Sequence, residues 1–283
     1  MSQLDRLVWA GGAMISTFGL RVGIRVTDPS ALEPMLAYLP PGWKYESSPV
    51  VERLYSVMTG AAGSQGDMRP LQMLFQDTDI LAASADLQDV CDAFGTDLQM
   101  HVAEVARGRL FVHAGVVGWR GRAILIPGRT FTGKSTLVAE LVRAGATYYS
   151  DDYAVLDSRG RVHPYPKPLS LREEPTARGK KYSIEEIGGR VGREPLPVGL
   201  VIVSSYREGA RWRPRQLSAG EGALALLANT VSARTEPAAA MSTLRQVVSS
   251  APVLKGVRGD AKGIVGDILG KLENNSRKSG SAS

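Results

Sequence analysis

Segments whose hydrophobic residues follow the spacing of a β-strand alternate along the chain with segments whose hydrophobic residues follow the spacing of an α-helix. This pattern predicts a mixed α/β fold. Residues 123–126 (AILI) form a short, uninterrupted apolar run, as expected of a buried parallel strand. Apolar residues at 137, 138, 141 and 142 then follow helical spacing and predict a helix over residues 135–144. A glycine-bounded segment separates the two, so strand, loop and helix follow one another in this order.

The same patterns predict further elements on both sides of this unit. The predicted strands are 20–26, 53–58, 109–117, 146–149, 154–157, 200–203 and 253–257, and the predicted helices are 31–39, 86–107, 218–231, 238–249 and 262–272. A turn at 118–121 would join strands 109–117 and 123–126 as a hairpin. Prolines keep residues 161–172 extended. The polar, glycine-rich segment 173–197 is interpreted either as a mobile lid or acceptor-docking loop, or as an ordinary surface loop.

The length of 283 residues allows one large domain or two smaller ones. We predict an N-terminal mixed α/β accessory region at residues 1–105 and a nucleotide-binding domain at residues 106–272. The polar residues 273–283 are expected to form a disordered tail.

Residues 128–135 (GRTFTGKS) match the phosphate-binding pattern G-x-x-x-x-G-K-[ST] at every fixed position. In such a loop, backbone N–H groups and the positive end of the following helix surround a polyphosphate. Lys134 is expected to reach the β- and γ-phosphates, and the Ser135 hydroxyl to ligate Mg²⁺. A chance match in a βα turn is the weaker interpretation, because the flanking elements are those the pattern requires. The expected nucleotide contacts are Gly128, Arg129, Thr130, Phe131, Thr132, Gly133, Lys134, Ser135 and Thr136.

Two adjacent carboxylates, Asp151 and Asp152, follow the strand predicted at 146–149. Open α/β sheets bind ligands at the carboxyl ends of their strands. In a phosphotransferase, one carboxylate would hold Mg²⁺ and the other would accept the proton of the attacking hydroxyl. An acidic turn is the alternative interpretation, and the phosphate-binding pattern upstream favours the functional one. His113 lies in strand 109–117, where a packed, hydrogen-bonded histidine is the simpler interpretation from the pattern alone.

Composition narrows the class of protein further. The single cysteine, Cys91, excludes an internal disulfide and fits a reducing compartment. The sequence has no apolar run of about 18 residues and no signal-peptide pattern, so we expect a cytoplasmic protein that does not enter a membrane. Lys and Arg are spread along the chain despite the net charge of +6, so no nucleic-acid partner is expected. Residues 207–215 (REGARWRPR) are the densest basic run; a solvated hairpin or loop is favoured there, and a phosphate or acidic partner is the alternative.

Three segments together resemble the catalytic domain of the HPr kinase/phosphorylase family, bacterial P-loop serine kinases related in fold to phosphoenolpyruvate carboxykinase. They are residues 113–115 (HAG), the 128–135 loop and residues 150–152 (SDD). Residues 166–172 (PKPLSLR) are similar to a segment of HPr-kinase-like proteins of uncertain substrate. The resemblance covers roughly residues 109–270 and implies a P-loop HPr-kinase/PEP-carboxykinase-like catalytic domain at 106–272.

The resemblance also implies roles for individual residues. Asp152 would be the proton acceptor, Lys134 would stabilise the transferred phosphoryl group, and Ser135 and Asp151 would serve the metal. His113 would be an active-site histidine near the phosphates. The chain departs from the family at Arg129 and Phe131, where small residues are common, and Glu173 is only a candidate for a further metal-ligating glutamate. Residues 1–105 do not resemble the family's regulatory domain, which argues against HPr itself as the acceptor.

We therefore expect a kinase that uses ATP and Mg²⁺ to phosphorylate a hydroxyl, with serine the expected residue, on a small protein or peptide. Two alternatives remain open from the sequence. One is a small-molecule kinase that uses the same site, and the other is a nucleotide-binding switch without transfer chemistry. The sequence leaves the acceptor, a reverse phosphorylase activity and homo-oligomerisation undecided.

Overall fold

The computed structural model is a mixed α/β protein that divides into two compact units, Met1–Arg107 and Gly108–Ser283. It describes residues 4, 7–60, 71–128, 132–171 and 180–280, with the backbone alone for 276–280. The division falls two residues after the boundary predicted at residue 105. None of the helices in the described part of the chain combines the length and apolar character that crossing a membrane requires.

The first unit is built on a six-stranded sheet with the order β3-β1-β2-β4-β5-β6. Its elements are β1 (Gly11–Thr17), β2 (Leu20–Val26), α1 (Leu32–Leu36), β3 (Lys44–Tyr45), β4 (Arg53–Thr59), β5 (Gln72–Gln76), β6 (Asp79–Ser84) and α2 (Leu87–Val105). The Asp86 side chain caps α2 by accepting from the Gln88 N–H, as short polar N-cap residues do. Helical spacing then buries Val90, Phe94, Leu98 and Val102.

The second unit carries an eight-stranded sheet with the order β11-β10-β7-β8-β14-β16-β15, in which β9 also pairs with β7. Its strands are β7 (Leu110–Trp119), β8 (Arg122–Pro127), β9 (Thr147–Ser150), β10 (Tyr153–Leu156), β11 (Arg161–His163), β14 (Leu196–Tyr206), β15 (Arg215–Gln216) and β16 (Val253–Arg258). A separate two-stranded sheet pairs β12 (Leu169–Leu171) with β13 (Lys180–Tyr182). The predicted hairpin is confirmed, because β7 and β8 are antiparallel and Arg120 and Gly121 take positive φ in the turn. β8, β14 and β16 are parallel to one another.

Helices cover both faces of this sheet. They are α3 (Lys134–Arg143), α4 (Ala219–Leu227), α5 (Pro237–Ser250) and α6 (Val265–Gly280). Alternate residues of β8 point to opposite faces, so Ile124 and Ile126 join the core formed with α3 and α6. Ala123 and Leu125 join the core formed with α4 and α5. The uninterrupted apolar run predicted at 123–126 is thus a strand buried on both sides.

Several predicted boundaries differ from the structure. The chain is helical over 273–280, which the sequence pattern assigned to a disordered tail; these residues are polar but include no proline that would end a helix. The helix predicted at 218–231 ends at Leu227, because Thr230 forms a bridge with Val112. Part of segment 180–197 packs on the rest of the unit, because β13 pairs with β12 and Ile184 is 3% exposed. Residues 173–179 of that segment lie outside the described residues.

Candidate functional site

The candidate site lies where β7 meets the end of β8 on one side and the β9–β10 pair on the other. β9 and β10 both run antiparallel to β7, and Asp151 and Asp152 interrupt them. The Ala114 N–H donates to the Asp152 carbonyl at 3.1 Å, and the Gly128 N–H donates to the His113 carbonyl at 3.1 Å. Hydrogen bonds across three strands therefore bring the histidine, the carboxylates and the start of the glycine-bounded loop together.

A glycine in β7 lets helix α3 approach this end of the sheet. A Cβ added at Gly115 would lie 2.5 Å from Val138 Cγ2 and 3.9 Å from Lys134 Cβ. Such a contact is far shorter than real side chains make, so a larger residue would push α3 and Lys134 away from the strand. The HAG segment thus contributes close packing as well as the histidine.

An arginine of β16 contacts the residue that precedes the first turn of α3. Gly133, the N-cap residue, takes a left-handed conformation with φ 79°. Arg258, which is 2% exposed, donates from Nη2 to the Gly133 carbonyl at 2.7 Å and from Nη1 to the Gly259 carbonyl at 3.1 Å. Burial lowers the pKa of Arg258. The Gly133 carbonyl therefore accepts from two donors, the Arg258 guanidinium and the Leu137 N–H of α3.

Asp151 is buried and bonded to two hydroxyls. It is 5% exposed, and its Oδ2 accepts from the Ser135 hydroxyl at 3.0 Å. The Tyr148 hydroxyl lies 2.9 Å from Asp151 Oδ1 and 3.0 Å from the Lys167 carbonyl oxygen. Burial and the neighbouring Asp152 charge raise the pKa of Asp151 to about 6. The carboxylate is thus placed at the first turn of α3, and no cation of the described residues is hydrogen-bonded to it.

Asp152 has a different environment. Its side chain is 46% exposed, and Oδ2 accepts from the Lys167 ammonium at 2.7 Å. The Ser150 hydroxyl oxygen accepts from the N–H groups of Asp152 at 3.2 Å and Tyr153 at 3.0 Å, which shapes the interruption between β9 and β10. One carboxylate is thus buried and the next reaches solvent.

The two basic groups predicted for the site are both partly desolvated. Burial lowers the pKa of Lys134, against the opposing effect of Asp152 and Asp151. Burial and the Lys134 charge lower the pKa of His113, so the imidazole is neutral near pH 7. The His113 ring lies 4.6 Å from the Tyr153 ring centroid, and the neighbouring Asp152 opposes the fall in its pKa.

Most of the predicted site residues that the structure describes converge here. Lys134, Ser135, Asp151, Asp152 and His113 lie at one end of the sheet. Gly128 and Thr132 are close, since a Cβ on Gly128 would lie 2.7 Å from Thr132 Oγ1, whereas Thr136 is exposed on α3. Arg129, Thr130, Phe131 and Glu173 lie outside the described residues.

Three neighbours of the site were missed by the sequence analysis. Tyr148 and Lys167 contact the two aspartates, and Arg258 contacts Gly133. Their only signals were a tyrosine in the strand before the aspartates, a lysine between two prolines, and an arginine at the end of a predicted strand. None of these belongs to a spacing pattern that predicts contact with the site.

The donor set at the start of α3 suits a hard cation. Ser135 and Asp151 offer hydroxyl and carboxylate oxygens, the ligands that Mg²⁺ prefers together with water and phosphate oxygens. Within the described residues no group of three or more His, Cys, Asp or Glu side chains could hold a metal by itself.

A comparison with solved structures found a distant resemblance to the HPr(Ser) kinase/phosphatase from Coxiella burnetii. The TM-score is 0.32 and the sequence identity 14%, over 59% of this chain and 98% of that one. No protein-family model and no curated protein matches the chain.

Proposed function

We propose that the chain is an ATP- and Mg²⁺-dependent kinase that transfers the γ-phosphoryl group to a hydroxyl, with serine the expected residue, of a small protein or peptide. The proposal rests mainly on the pair of carboxylates beside the first turn of α3. Asp151 is buried against Ser135, and Asp152 next to it is open to solvent. A site that only bound phosphates would gain nothing from a second carboxylate there.

The difference in burial supports different roles for the two acids. Asp151, at 5% exposed, would hold the metal together with Ser135. Asp152, whose side chain is 46% exposed, is accessible to an incoming acceptor and would act as the general base. When bound, Mg²⁺ would neutralise charge on the phosphate oxygens.

The transfer itself balances as an in-line displacement. Asp152 takes the proton of the acceptor hydroxyl while that oxygen bonds to the γ-phosphorus, and the bond from the γ-phosphorus to the ADP oxygen breaks. Lys134, at the positive end of α3, would contact the transferred phosphoryl group. Residues 128–136 would surround the rest of the polyphosphate. His113, whose carbonyl accepts from the Gly128 N–H at the start of the loop, would place its neutral ring near the phosphates.

Asp152→Asn is the variant that tests the proposal. It should reduce transfer of label from ATP by at least about 10³-fold, within the range of general-base catalysis. ATP binding, measured by titration calorimetry, should stay within a few-fold of the unchanged protein. Lys134→Ala should weaken both binding and transfer. Asp267→Asn, an exposed carboxylate on α6, is the matched control and should change neither.

The acceptor class is settled by offering labelled ATP with either a small-protein and peptide fraction or a metabolite fraction. Label in a metabolite would favour the small-molecule kinase. Tight ATP binding without any product would favour the nucleotide-binding switch. Full transfer activity in the Asp152→Asn protein would overturn the role given to that residue.

A further inference from the structure

The basic run noted in the sequence forms an arm at the same edge of the sheet as the candidate site. We define the basic arm as residues 207–216, which follow β14 and return along β16 through β15. Since β8, β14 and β16 are parallel, their carboxyl ends share one edge. The Arg207 N–H donates to the Arg258 carbonyl at 2.9 Å, and Arg258 donates to Gly133 at 2.7 Å. The arm is therefore two contacts away from the start of α3.

Alternation within the arm separates its charges from its anchors. Arg211, Arg213 and Arg215 are exposed, whereas Trp212 and Pro214 between them are partly buried. A Cβ on Gly256 would lie 2.9 Å from Trp212 Cζ3 and 3.2 Å from Pro214 Cα, so the arm packs directly on the β16 backbone. Alternate residues of a fully extended chain are about 6.6 Å apart, so the three arginines would span about 13 Å along the arm.

This row carries more positive charge than its surroundings neutralise. Arg215 pairs with Glu221 at 3.0 Å, and Lys255 lies directly opposite Arg215 in the β15–β16 pair. Among the described residues, no carboxylate pairs with Arg211, Arg213 or Lys255. Like charges facing each other across two strands are unfavourable unless an anion lies between them. The arm thus has the charge of a binding surface for an anionic partner.

We propose that the basic arm binds an extended, acidic segment of the phosphate acceptor. This inference rests on the proposed function and adds a chemical property of the acceptor. The acceptor would carry carboxylates on alternate residues of an extended segment, and that segment would be separated in sequence from the hydroxyl that is phosphorylated. Alternate side chains of such a segment have the same spacing as the arginines of the arm. The row begins at Arg211, near the carboxyl ends of the parallel strands and therefore near Gly133. It then runs away from that edge of the sheet.

A peptide fits the arm better than a nucleic acid does. Nucleic-acid sites combine many phosphate contacts over a wide surface with exposed aromatic rings that stack on bases. The arm offers a short row of cations, and its aromatic residue, Trp212, packs toward Gly256 instead.

Binding is tested with a fluorescent peptide of six Glu-Ser repeats, by anisotropy at low salt and without nucleotide. We expect binding that weakens as salt is added, and no binding of the corresponding Lys-Ser peptide. Replacing both Arg211 and Arg213 by Gln should weaken binding about twofold to thirtyfold, the range for two exposed ion pairs. The matched control replaces Arg159 and Arg245, which are exposed elsewhere on the same unit, and should bind as the unchanged protein does.

Three outcomes would overturn the proposal: no binding of the acidic peptide, equal loss in both double variants, or tighter binding of a 20-base-pair DNA duplex than of the peptide. Because the measurement needs no ATP and leaves Asp152 and Lys134 intact, its failure would not affect the proposed transfer chemistry. Conversely, if transfer proved not to depend on Asp152, the result of the peptide-binding measurement would still hold.

Discussion

Each of the two units holds a tyrosine hydroxyl bonded to a partly or fully buried aspartate, but the charge balance differs. In the first unit, Asp97 Oδ2 accepts from the Tyr55 hydroxyl at 2.6 Å and from Arg53 Nη2 at 2.6 Å, and Arg53 Nε reaches the Tyr55 oxygen at 2.8 Å. In the second unit, Asp151 accepts from two hydroxyls, those of Tyr148 and Ser135.

The two clusters differ in whether a bonded cation neutralises the aspartate. Arg53 neutralises Asp97 within a closed triangle of hydrogen bonds, and its own pKa is raised although burial opposes this. Asp151 has a second carboxylate beside it, and burial together with that charge raises its pKa to about 6. Buried charge without a bonded cation is unfavourable for folding. An added cation would remove that cost, which is why the proposed function gives Asp151 the metal-binding role.

The largest expected effect is on phosphoryl transfer. Asp151→Asn should reduce transfer at least about 10³-fold, because the metal of the proposed function would lose the carboxylate assigned to hold it. The same substitution at Asp97 should leave the rate per folded molecule unchanged. Steady-state transfer rates of both variants, normalised to the folded fraction, test this. Equal losses in the two variants would contradict the distinction between the clusters.

The second expected effect is that Asp151→Asn, which should abolish most of the activity, increases the free energy of unfolding. The Asp151 pKa of about 6 lies above the ordinary 3.8, so the folded protein binds this proton more tightly than the unfolded chain does. That contribution to stability is complete below about pH 4 and is lost as pH rises through about 6. At pH 8, Asp151→Asn should therefore raise the free energy of unfolding by about 1–3 kcal/mol, and the gain should shrink toward pH 4.5.

Urea unfolding across this pH range measures the gain, in the absence of nucleotide and Mg²⁺. Asn can still accept from Tyr148 and donate to the Ser135 oxygen, so the two hydroxyl contacts survive. Asp267→Asn on the surface should show no comparable dependence on pH. A loss of stability at pH 8 would mean that Asp151 is already compensated in the free protein.

The third effect has the opposite sign and belongs to the first unit. Asp97→Asn should lower stability by about 2 kcal/mol, because the Arg53 guanidinium keeps a neutral acceptor in place of a charged one. Amide hydrogen exchange of the first unit would measure this loss of stability locally. Asp79→Asn, an exposed carboxylate on β6, should leave that exchange unchanged. A stabilised Asp97→Asn protein would remove the contrast between the two clusters.

The sequence predicted the parts of the second unit that depend on local pattern. Apolar runs and helical spacing located β8 and α3, and the hairpin followed from the turn between β7 and β8. The sequence also predicted that Lys134, Ser135 and the aspartates lie close together. This was possible because the strand, the loop, the helix and the strand before the aspartates are consecutive in the chain. Strands β1, β5 and β6 were missed because their outward residues are a mixture of small and apolar types, which blurs the two-residue period.

Contacts between distant residues were beyond local pattern. Arg258 is separated from Gly133 by 125 positions, and Lys167 from Asp152 by 15. Both contacts depend on strand order and on the path between strands, which periodicity does not encode. Segment 180–197 was judged by its polar composition, yet Ile184 and the glycines that allow close packing hold part of it against the core.

The smallest effect concerns the ion pair between Lys167 and Asp152. The two side chains are 28% and 46% exposed, against 15% and 28% for Arg53 and Asp97, so solvent screens this pair more strongly. Lys167→Met should change stability by less than about 1 kcal/mol. Transfer should fall by about tenfold, equivalent to about 1.4 kcal/mol, because Asp152 loses the contact that orients it.

The apparent KM for ATP should not change, since Lys167 does not belong to the loop before α3. Lys167→Arg, which keeps the charge, should recover part of the rate. Parallel measurements of the maximal rate and of KM separate this positioning role from a structural one. A large fall in stability would instead place the Lys167–Asp152 pair with the Arg53–Asp97 cluster, and the difference between the two regions would then lie in Asp151 alone.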